Sequence, residues 1–351
     1  MYGLTGAALD WMTSYLYSRL SYVRWKDYTS EHTTIDAGVP QGSSLGPQLF
    51  SMYVAPLAGL IRSFGVRYHQ YADDTQLYIA ISNTNIDVQL ETLEQCINSV
   101  NKWLLHNGLS LNPTKSDAIQ FSTGRKRNAV DVPAVSVSGV AIQPSATINS
   151  LGVVLDRHLS FDQQVDSVCK ACYFHIRALR HVRESLPDDV AKTVACSIVS
   201  SRLDYCNALY AGMSAANITK LQRVQNTLAR TILRLRKFEH ITPALIDLHW
   251  LPIRQRITFK LASVTFKLRL THQPSYLYDL INNYEPPRLL RSSNKGLLQV
   301  SRTNTVVASR AFTHSAVAVW NSLPADIRNC LTVVTFRRHL KTFLFCTAFA
   351  T

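Results

Sequence analysis

The sequence YADDTQLY at residues 71–78 places two adjacent carboxylates, Asp73 and Asp74, inside a β-prone segment. Apolar residues flank the acidic pair on both sides, so residues 66–81 predict two strands joined by a tight turn. That turn would present both carboxylates at its tip. Because like charges held together repel each other, such a pair is costly unless a cation binds it.

Mg²⁺ is the cation that suits two carboxylates at a hairpin tip, since it prefers hard oxygen ligands and shares its shell with phosphate oxygens. A pair of such ions activates a 3′-hydroxyl and stabilises a departing pyrophosphate in phosphoryl transfer. The plainer interpretation is an ordinary turn, because Asp is a favoured turn residue in any hairpin. The acidic pair alone favours this plainer interpretation, and only its sequence context favours a metal site.

A loop rich in Gly, Pro and Ser, GVPQGSSLGP at residues 38–47, lies upstream of the acidic pair. Its glycines remove Cβ bulk where a backbone must pass close to another group. Its prolines stiffen the chain, and its uncharged Gln and Ser side chains offer hydrogen bonds to a base pair or a sugar. A generic loop that leads into a core helix is the alternative. The candidates for a template and nucleotide site in this loop are Gly38, Pro40, Gln41, Gly42 and Ser43.

The loop and the tetrapeptide at residues 71–74 together resemble the palm subdomain of reverse transcriptases, in particular those of LINE-type, jockey-like non-LTR retrotransposons. The resemblance implies an α+β fold, with a partial palm followed by a mainly helical, basic thumb and C-terminal region. It also implies an RNA-directed DNA polymerase, which adds dNTPs to the 3′ end of a DNA primer on an RNA template. Asp73 and Asp74 would then hold two Mg²⁺ ions, with Mn²⁺ as an alternative, and Tyr71 would belong to the substrate site.

Two further segments extend the resemblance. LNPTKS at residues 111–116 is similar to the next palm motif of the family, in which Lys115 would assist near the triphosphate. A surface lysine at the start of a strand is the alternative. NSLGVVLD at residues 149–156 resembles the hairpin at the palm–thumb junction, which grips the primer. There Gly152 would allow close backbone approach, although a simple core strand is equally compatible.

The positive charge of the chain is confined to its second part, because the net charge is −1 over residues 1–150 and +15 over residues 151–351. Such a field attracts polyanions, of which nucleic acid is the usual one. A basic amphipathic helix is predicted over residues 218–235, and beside a polymerase palm nucleic acid is the favoured partner. A membrane surface, a partner protein and a merely solvated face are the alternatives. Its candidate ligands for a nucleic-acid backbone are Lys220, Arg223, Arg230 and Arg234.

Three regions are expected: a partial palm over residues 1–160, a helical basic thumb-like region over residues 161–285, and a C-terminal region over residues 286–351.

In the family a further metal-binding Asp precedes a helix like the one predicted at residues 7–20. The chain begins almost at this helix, and Asp10 lies within it. We therefore expect little or no polymerase activity from this chain alone. A non-catalytic nucleic-acid-binding remnant of a retrotransposon protein and a decayed fragment without a role are the alternatives.

Seven cysteines are scattered along the chain, and the N-terminus does not resemble a secretory leader. This pattern predicts reduced thiols in an intracellular protein of the nucleus or cytoplasm, without a membrane partner. The oligomeric state is not indicated.

Cys169, Cys172 and His175 suggest a zinc site, but their spacing is helical and no second ligand pair follows. Residues on one helix face are therefore the favoured interpretation.

Hydrophobic periodicity predicts the main helices, and Thr5 is the expected cap of the first of them. Short strands are expected at residues 22–26 and 33–36, and a linker is expected between residues 286 and 295. The predicted helices lie at residues 7–20, 48–62, 88–105, 170–184 and 218–235.

Overall fold

A computed structural model describes residues 3–39, 42–82, 84–122, 132–285 and 296–350, so the linker predicted at residues 286–295 lies outside the described residues. Contacts between the elements divide the chain into two compact units. The first comprises Met1–Ser116 and Val132–Gln143, and the second comprises Asp117–Asp131 and Pro144–Thr351. Both units combine helices with two-stranded sheets, which confirms the α+β class.

In the described residues the named strands all lie before residue 157, and the part of the chain after residue 160 is helical. The strands are β1 (Arg19–Ser21), β2 (Arg24–Trp25), β3 (Tyr28–Thr29), β4 (Thr33–Ile35), β5 (Arg67–Tyr71), β6 (Asp74–Tyr78), β7 (Ala118–Ile119), β8 (Val135–Val137), β9 (Val140–Ile142), β10 (Pro144–Ser145), β11 (Thr147–Ser150) and β12 (Val153–Asp156). The helices are α1 (Ala7–Leu16), α2 (Gly46–Val54), α3 (Leu57–Ser63), α4 (Ile86–His106), α5 (Asp162–Val182), α6 (Asp188–Ala195), α7 (Ser201–Asp204), α8 (Ala215–Leu233), α9 (Ile241–Asp247), α10 (Ile253–Thr271), α11 (Ser275–Tyr278), α12 (Val306–Ser309), α13 (Phe312–Ser322), α14 (Ala325–Arg328) and α15 (Val333–Phe349). In the described parts of the chain, none of these helices combines the length and the apolar character that crossing a membrane requires.

The first helix is shorter than the sequence predicts. It ends at Leu16 because the chain turns at Ser18, whose φ is +53°, and then enters β1. Gly6 occupies the N-cap position and makes no side-chain hydrogen bond, so the predicted cap at Thr5 is wrong. In the segment that follows, β1 pairs with β4 and β2 pairs with β3, close to the two predicted strands.

The helix predicted at residues 48–62 is divided into α2 and α3. The break lies at Pro56, which has no backbone N–H to donate and therefore cannot continue the hydrogen-bond ladder of α2. Val54 before the break and Leu57 and Ile61 after it are buried, so both helices still face one core. The apolar periodicity was a correct guide to burial, whereas the proline decided the helix boundary.

Helix α4 organises the core of the first unit and confirms the helix predicted at residues 88–105. Its buried residues Cys96, Ile97 and Val100 pack towards α3 and towards β8. The hairpin formed by β5 and β6 joins the same cluster through Tyr68 and Leu77, which are register partners and partly buried. The base of this hairpin is therefore anchored in the core of the unit.

The second unit has a core in which α5 packs against α8. Val165 and Ile176 of α5 are buried with Leu221 and Leu228 of α8. Both helices begin earlier than predicted, at residues 162 and 215. For α8 the cause is local, because Ser214 at the N-cap accepts a hydrogen bond of 3.3 Å from the backbone N–H of residue 217.

The C-terminal part of the second unit has a core of its own, formed mainly by α10, α13 and α15. Phe266 stacks on Phe336 with ring centroids 4.2 Å apart, and Trp320 lies 6.0 Å from Phe336. All three rings are buried, so the segment after residue 296 is packed against the rest of its unit. The functional division at residues 160 and 285 stays a prediction.

Candidate active site and nucleic-acid interface

The acidic pair lies at the turn of the β5–β6 hairpin. Tyr71 is the register partner of Asp74, so Ala72 and Asp73 form a two-residue turn between the strands. Ala72 has φ +53°, which lies in the left-handed region that such turns use. Both carboxylates and the ring of Tyr71 are exposed. The predicted hairpin is confirmed, while the metal-binding role of its carboxylates stays a prediction.

The carboxylates of Asp73 and Asp74 supply the oxygen ligands that a hard divalent cation prefers. Mg²⁺ is commonly held by one or two carboxylates, and waters and substrate phosphates complete its shell. The ion pairs found in the described residues join other side chains, so no Lys or Arg neutralises either carboxylate there. Across those same residues, no group of three or more His, Cys, Asp and Glu side chains could hold a metal ion. The two carboxylates therefore fit the ion as a partial ligand set.

The Gly-rich loop before α2 has two glycines in conformations that other residues rarely adopt. Gly38 has φ +79° and Gly42 has φ +83°, and a Cβ at either would meet no atom within 4 Å. The need for Gly is therefore conformational. Arg19 Nη2 donates a hydrogen bond of 2.6 Å to the Gly38 carbonyl, and Ser43 Oγ accepts one of 3.1 Å from the N–H of Gly46. The predicted site residues Pro40 and Gln41 lie outside the described residues.

Lys115 ends a short 3₁₀ turn that its neighbours fix. Asn112 Oδ1 accepts hydrogen bonds from the backbone N–H and the hydroxyl of Thr114, at 3.0 and 2.7 Å. The Lys115 side chain is exposed. Among the described residues, no ion pair links it to Asp73 or to Asp74. The structure thus provides an exposed ammonium on an ordered turn, and its role at a triphosphate stays a prediction.

Gly152 lies at the turn of the β11–β12 hairpin. Ser150 and Val153 are register partners, and Leu151 and Gly152 between them have φ +48° and +76°. Two consecutive positive φ values define the turn type that favours Gly at its second position. A Cβ added at Gly152 would lie 3.8 Å from the ring of Tyr205. Tyr205 was missed in the sequence because no motif or periodicity marks it.

Partly buried and exposed polar contacts connect this hairpin to α5 and to the residues just before it. Gln164 Oε1 accepts a hydrogen bond of 2.8 Å from a backbone N–H of β12. The carboxylate of Asp156 accepts backbone N–H bonds from His158, Ser160 and Phe161, at 3.0, 2.9 and 2.7 Å. Burial by itself raises the pKa of Asp156, but these hydrogen bonds favour the charged form and leave its pKa below the ordinary value.

A cleft of about 800 Å³ lies between α8 and the C-terminal half of α5, and we call it the basic cleft. Its lining includes six Lys or Arg residues and one Glu, so its potential is positive. Arg223, Arg230 and Arg234, which the sequence predicts as backbone ligands, are brought together here beside Tyr173. An aromatic ring of this kind is a surface on which a base can stack.

The sequence reasoning missed three cations of the basic cleft, which are Arg180, Arg183 and Lys237. Arg180 and Arg183 are three residues apart, so their helical spacing could have indicated a shared face. Arg183 is buried, pairs with Asp188 and donates a hydrogen bond of 2.7 Å to a carbonyl of α8. It therefore holds the two helices together, whereas Arg180 and Lys237 are exposed.

Lys220 is not part of the basic cleft. It lies three residues before Arg223 and forms an ion pair of 2.6 Å with Asp166 of α5. The hydrogen bond to Asp166 raises the pKa of Lys220. This partner partly neutralises the lysine, so we expect it to contribute less to nucleic-acid binding than the three arginines do.

The three residues that suggested a zinc site do not assemble one. Cys172 is buried in the core of the second unit, and burial raises the pKa of its thiol to about 12. Burial also raises the pKa of Cys169. A thiol must lose its proton to bind a metal, so both environments disfavour zinc. No metal cluster includes these residues in the described part of the chain.

Comparison with known families and proteins connects these features. The family described as reverse transcriptase (RNA-dependent DNA polymerase) matches residues 3–155. The RNA-directed DNA polymerase from mobile element jockey of Drosophila funebris is 27% identical over 208 residues, which cover 56% of this chain and 22% of that protein. The probable RNA-directed DNA polymerase from transposon X-element of Drosophila melanogaster is 24% identical over 286 residues, which cover 80% of this chain and 30% of that protein.

The family match contains the Gly-rich loop, the acidic hairpin, Lys115 and Gly152. Similarity to the X-element protein extends further and covers most of the chain. The chain spans less than a third of the length of the jockey and X-element polymerases. Residues 3–155 match the reverse transcriptase family, and the similarity of the chain to RNA-directed DNA polymerases of mobile elements supports a LINE-type reverse transcriptase.

Proposed function

We propose that this chain forms part of the catalytic region of an RNA-directed DNA polymerase, which adds dNTPs to a primer 3′ end on an RNA template. The observation that carries the proposal is the pair of exposed carboxylates at a hairpin tip whose base is packed into a core. Residues 1–160 would be a partial palm, residues 161–285 a thumb-like region and residues 286–351 a C-terminal region.

In this proposal Asp73 and Asp74 hold the divalent ions. The chemistry that Mg²⁺ or Mn²⁺ supplies when bound is activation of the primer 3′-hydroxyl and charge neutralisation on the leaving pyrophosphate. Tyr71 is exposed next to the acidic pair, where it would contact the substrates. Lys115 offers a positive charge to the triphosphate of the incoming dNTP, because its ammonium is exposed on a fixed turn.

The remaining predicted site residues would position the nucleic acid. The loop with Gly38, Pro40, Gln41, Gly42 and Ser43 would line the template and nucleotide site. The turn at Gly152 would lie against the primer backbone. The basic cleft would then hold phosphates of the template–primer through Arg223, Arg230 and Arg234.

Primer extension tests the proposal, with this chain alone and with a full-length jockey-type polymerase in which this chain replaces the corresponding segment. We expect extension by the chimera, and we expect Asp73→Asn to lower it by orders of magnitude, because a metal ligand is lost. We expect the isolated chain to incorporate little. Extension by the Asp73→Asn chimera at the unsubstituted rate would overturn the assignment.

The chain contains a closely matched control for this substitution. Asp27 also occupies the second position of an exposed two-residue turn, between β2 and β3, and it follows Lys26 with φ +54° as Asp73 follows Ala72. It is a single carboxylate, without an acidic neighbour in sequence. Asp27→Asn should therefore leave extension unchanged, and an equal loss in both variants would indicate a general effect on folding.

A second candidate function is nucleic-acid binding without catalysis, and the basic cleft favours it. Such binding should weaken steeply with salt, because phosphate contacts release counterions. It should also be insensitive to Asp73→Asn. Salt-independent binding, or binding that is lost with Asp73, would exclude this candidate.

A further inference from the structure

The cations that line the basic cleft differ in how far the fold already engages them. The guanidinium of Arg183 donates to two backbone carbonyls, at 2.7 and 2.8 Å, and pairs with Asp188, so it holds the fold together. Arg223 is exposed and forms none of the ion pairs found in the described residues. The cleft therefore keeps positive charge that no described side chain neutralises.

Arg230 is held in the wall of the basic cleft. Its Nη2 donates a hydrogen bond of 3.1 Å to the carbonyl of Glu239, while its Nε is buried without a hydrogen-bond acceptor. Water screens a partly buried charge less than an exposed one, so this guanidinium attracts an anion more strongly than a surface arginine does. Because the side chain is already fixed, a ligand that pairs with it loses less affinity to ordering.

The other polar side chains of the cleft do not supply the missing negative charge. Thr227 and Thr231 are uncharged and donate their hydroxyl hydrogens to carbonyls of their own helix, at 2.8 and 2.9 Å. Asn226 Oδ1 accepts a hydrogen bond of 2.8 Å from Gln222. Glu184 is exposed and forms none of the ion pairs found in the described residues. The ligand must therefore bring negative oxygens, and phosphate oxygens match the planar donors of a guanidinium.

Tyr173 gives the cleft an aromatic wall on the side of α5. Its ring is partly buried and packs against the core that α5 shares with α8, so its position is fixed. The ring contacts found nearby in the described residues join Phe161 with Tyr210 and Phe174 with His175, so no described aromatic ring covers Tyr173. A ring beside phosphate-binding cations is the combination that binds a nucleotide, because the base stacks while the phosphate pairs.

The place of this ring distinguishes between paired and unpaired nucleic acid. In a duplex each base is stacked between its neighbours, so its faces are not accessible to a side chain. The cleft has a volume of about 800 Å³, which is the size of a pocket for a small group rather than of a channel for a double helix. A base can therefore reach Tyr173 only where the strand is unpaired.

We propose that the basic cleft binds single-stranded nucleic acid, with an unpaired base stacked on Tyr173 and a neighbouring phosphate paired with Arg223 and Arg230. This inference rests on the proposed function and deepens it, because it specifies that the part of the template–primer in the cleft is an unpaired strand. The site lies beyond the family match, which ends at residue 155.

Fluorescence anisotropy of the full chain tests the strand preference with three RNAs of about ten nucleotides. The first is a single strand, the second is the same strand paired with its complement, and the third is a single strand with abasic sites. We expect the first to bind about tenfold more tightly than either of the others, because stacking of a base is lost in both. A single-strand affinity no higher than that for the duplex or for the abasic strand would overturn the proposal.

Substitution of Tyr173 tests whether this preference arises in the basic cleft. Tyr173→Leu keeps an apolar side chain and removes the ring, so affinity for the single strand should fall about tenfold while affinity for the abasic strand stays the same. Tyr173→Phe keeps the ring and should bind the single strand as the unsubstituted chain does. An unchanged single-strand affinity in Tyr173→Leu would contradict stacking on this residue.

Arg223→Gln separates this inference from the proposed function. It removes a charge from the cleft and should weaken binding of the single strand and of the abasic strand alike, whereas Arg337→Gln, at an exposed position of α15, should change both less. A loss with Arg223→Gln but none with Tyr173→Leu would overturn the unpaired strand and leave the cleft as a phosphate site. Primer extension that depends on Asp73, with no effect of Arg223→Gln on binding, would exclude the cleft as a nucleic-acid site and keep the polymerase assignment.

Discussion

The hydroxyl of Tyr205 donates a hydrogen bond of 2.6 Å to the carbonyl oxygen of Leu151. The two residues are 54 positions apart, and the bond connects the end of α7 to the turn of the β11–β12 hairpin. The ring of the same tyrosine lies beside Gly152. The side chain of Tyr205, at the end of α7, thus contacts and stabilises a turn that has two positive φ values.

Removal of this hydroxyl tests the support directly. Tyr205→Phe should lower the free energy of unfolding by about 1 kcal/mol or less, because the bond is partly exposed and water replaces it in part. Urea unfolding measures the change. Tyr17→Phe is the control, since Tyr17 is 73% exposed. Equal stability of the two variants would show that the tyrosine does not hold the turn.

Asp156 should make the stability of the second unit depend on acidic pH. Its pKa in the folded chain lies below the ordinary value of 3.8, because backbone N–H groups favour the carboxylate and outweigh its burial. A lowered pKa stabilises the fold above the unfolded-state pKa, and this stabilisation is lost as the pH falls through the folded-state pKa. Asp156→Asn should therefore be less stable than the unsubstituted chain at neutral pH.

Urea unfolding at pH values from about 6 down to about 2 measures this contribution. The stability difference between the chain and Asp156→Asn should shrink as the pH falls below about 4. Asp189→Asn serves as the control, because Asp189 is an exposed carboxylate in the first turn of α6. A difference that stays constant at every pH would mean that the charge of Asp156 is not involved.

Two cations of α8 should contribute unequally to RNA binding, because Arg223 lines the basic cleft and Lys220 does not. Arg223→Gln should weaken RNA binding and reduce the slope of log affinity against log salt by about one, since one phosphate contact is lost. Lys220→Gln should change both quantities less, because Asp166 already partners that lysine at 2.6 Å. Filter binding at several salt concentrations distinguishes the two. Equal losses would place Lys220 in the nucleic-acid interface after all.

Local sequence patterns predicted the turns and helices that depend on residues close together in the sequence. The alternation around Asp73 predicted the hairpin, and Gly152 suits a turn with positive φ. Periodicity also found α4 nearly to its ends. The single helix expected at residues 48–62 was wrong because Pro56 lacks the backbone N–H that would continue the helix.

Features that depend on long-range contacts could not be read from the sequence. Nothing in the residues near Tyr205 indicates its bond to a turn 54 positions away. The basic cleft needs two helices side by side, so local spacing could not show that Arg180 faces the arginines of α8. The same holds for Arg328, whose burial depends on α14 meeting the C-terminal core.

The cysteines give a last prediction, which tests whether Cys172 is available to bind a metal. A thiol-reactive disulfide reagent attacks thiolates, and a pKa of about 12 leaves Cys172 almost entirely protonated at pH 8. Cys346 is exposed, so it should react quickly in the native chain, while Cys172 should react only as the protein unfolds. Cys346→Ser should remove part of the fast phase, and Cys172→Ala should leave that phase unchanged. Slowing of the native reaction by one equivalent of zinc, dependent on Cys172, would instead establish a metal site on α5.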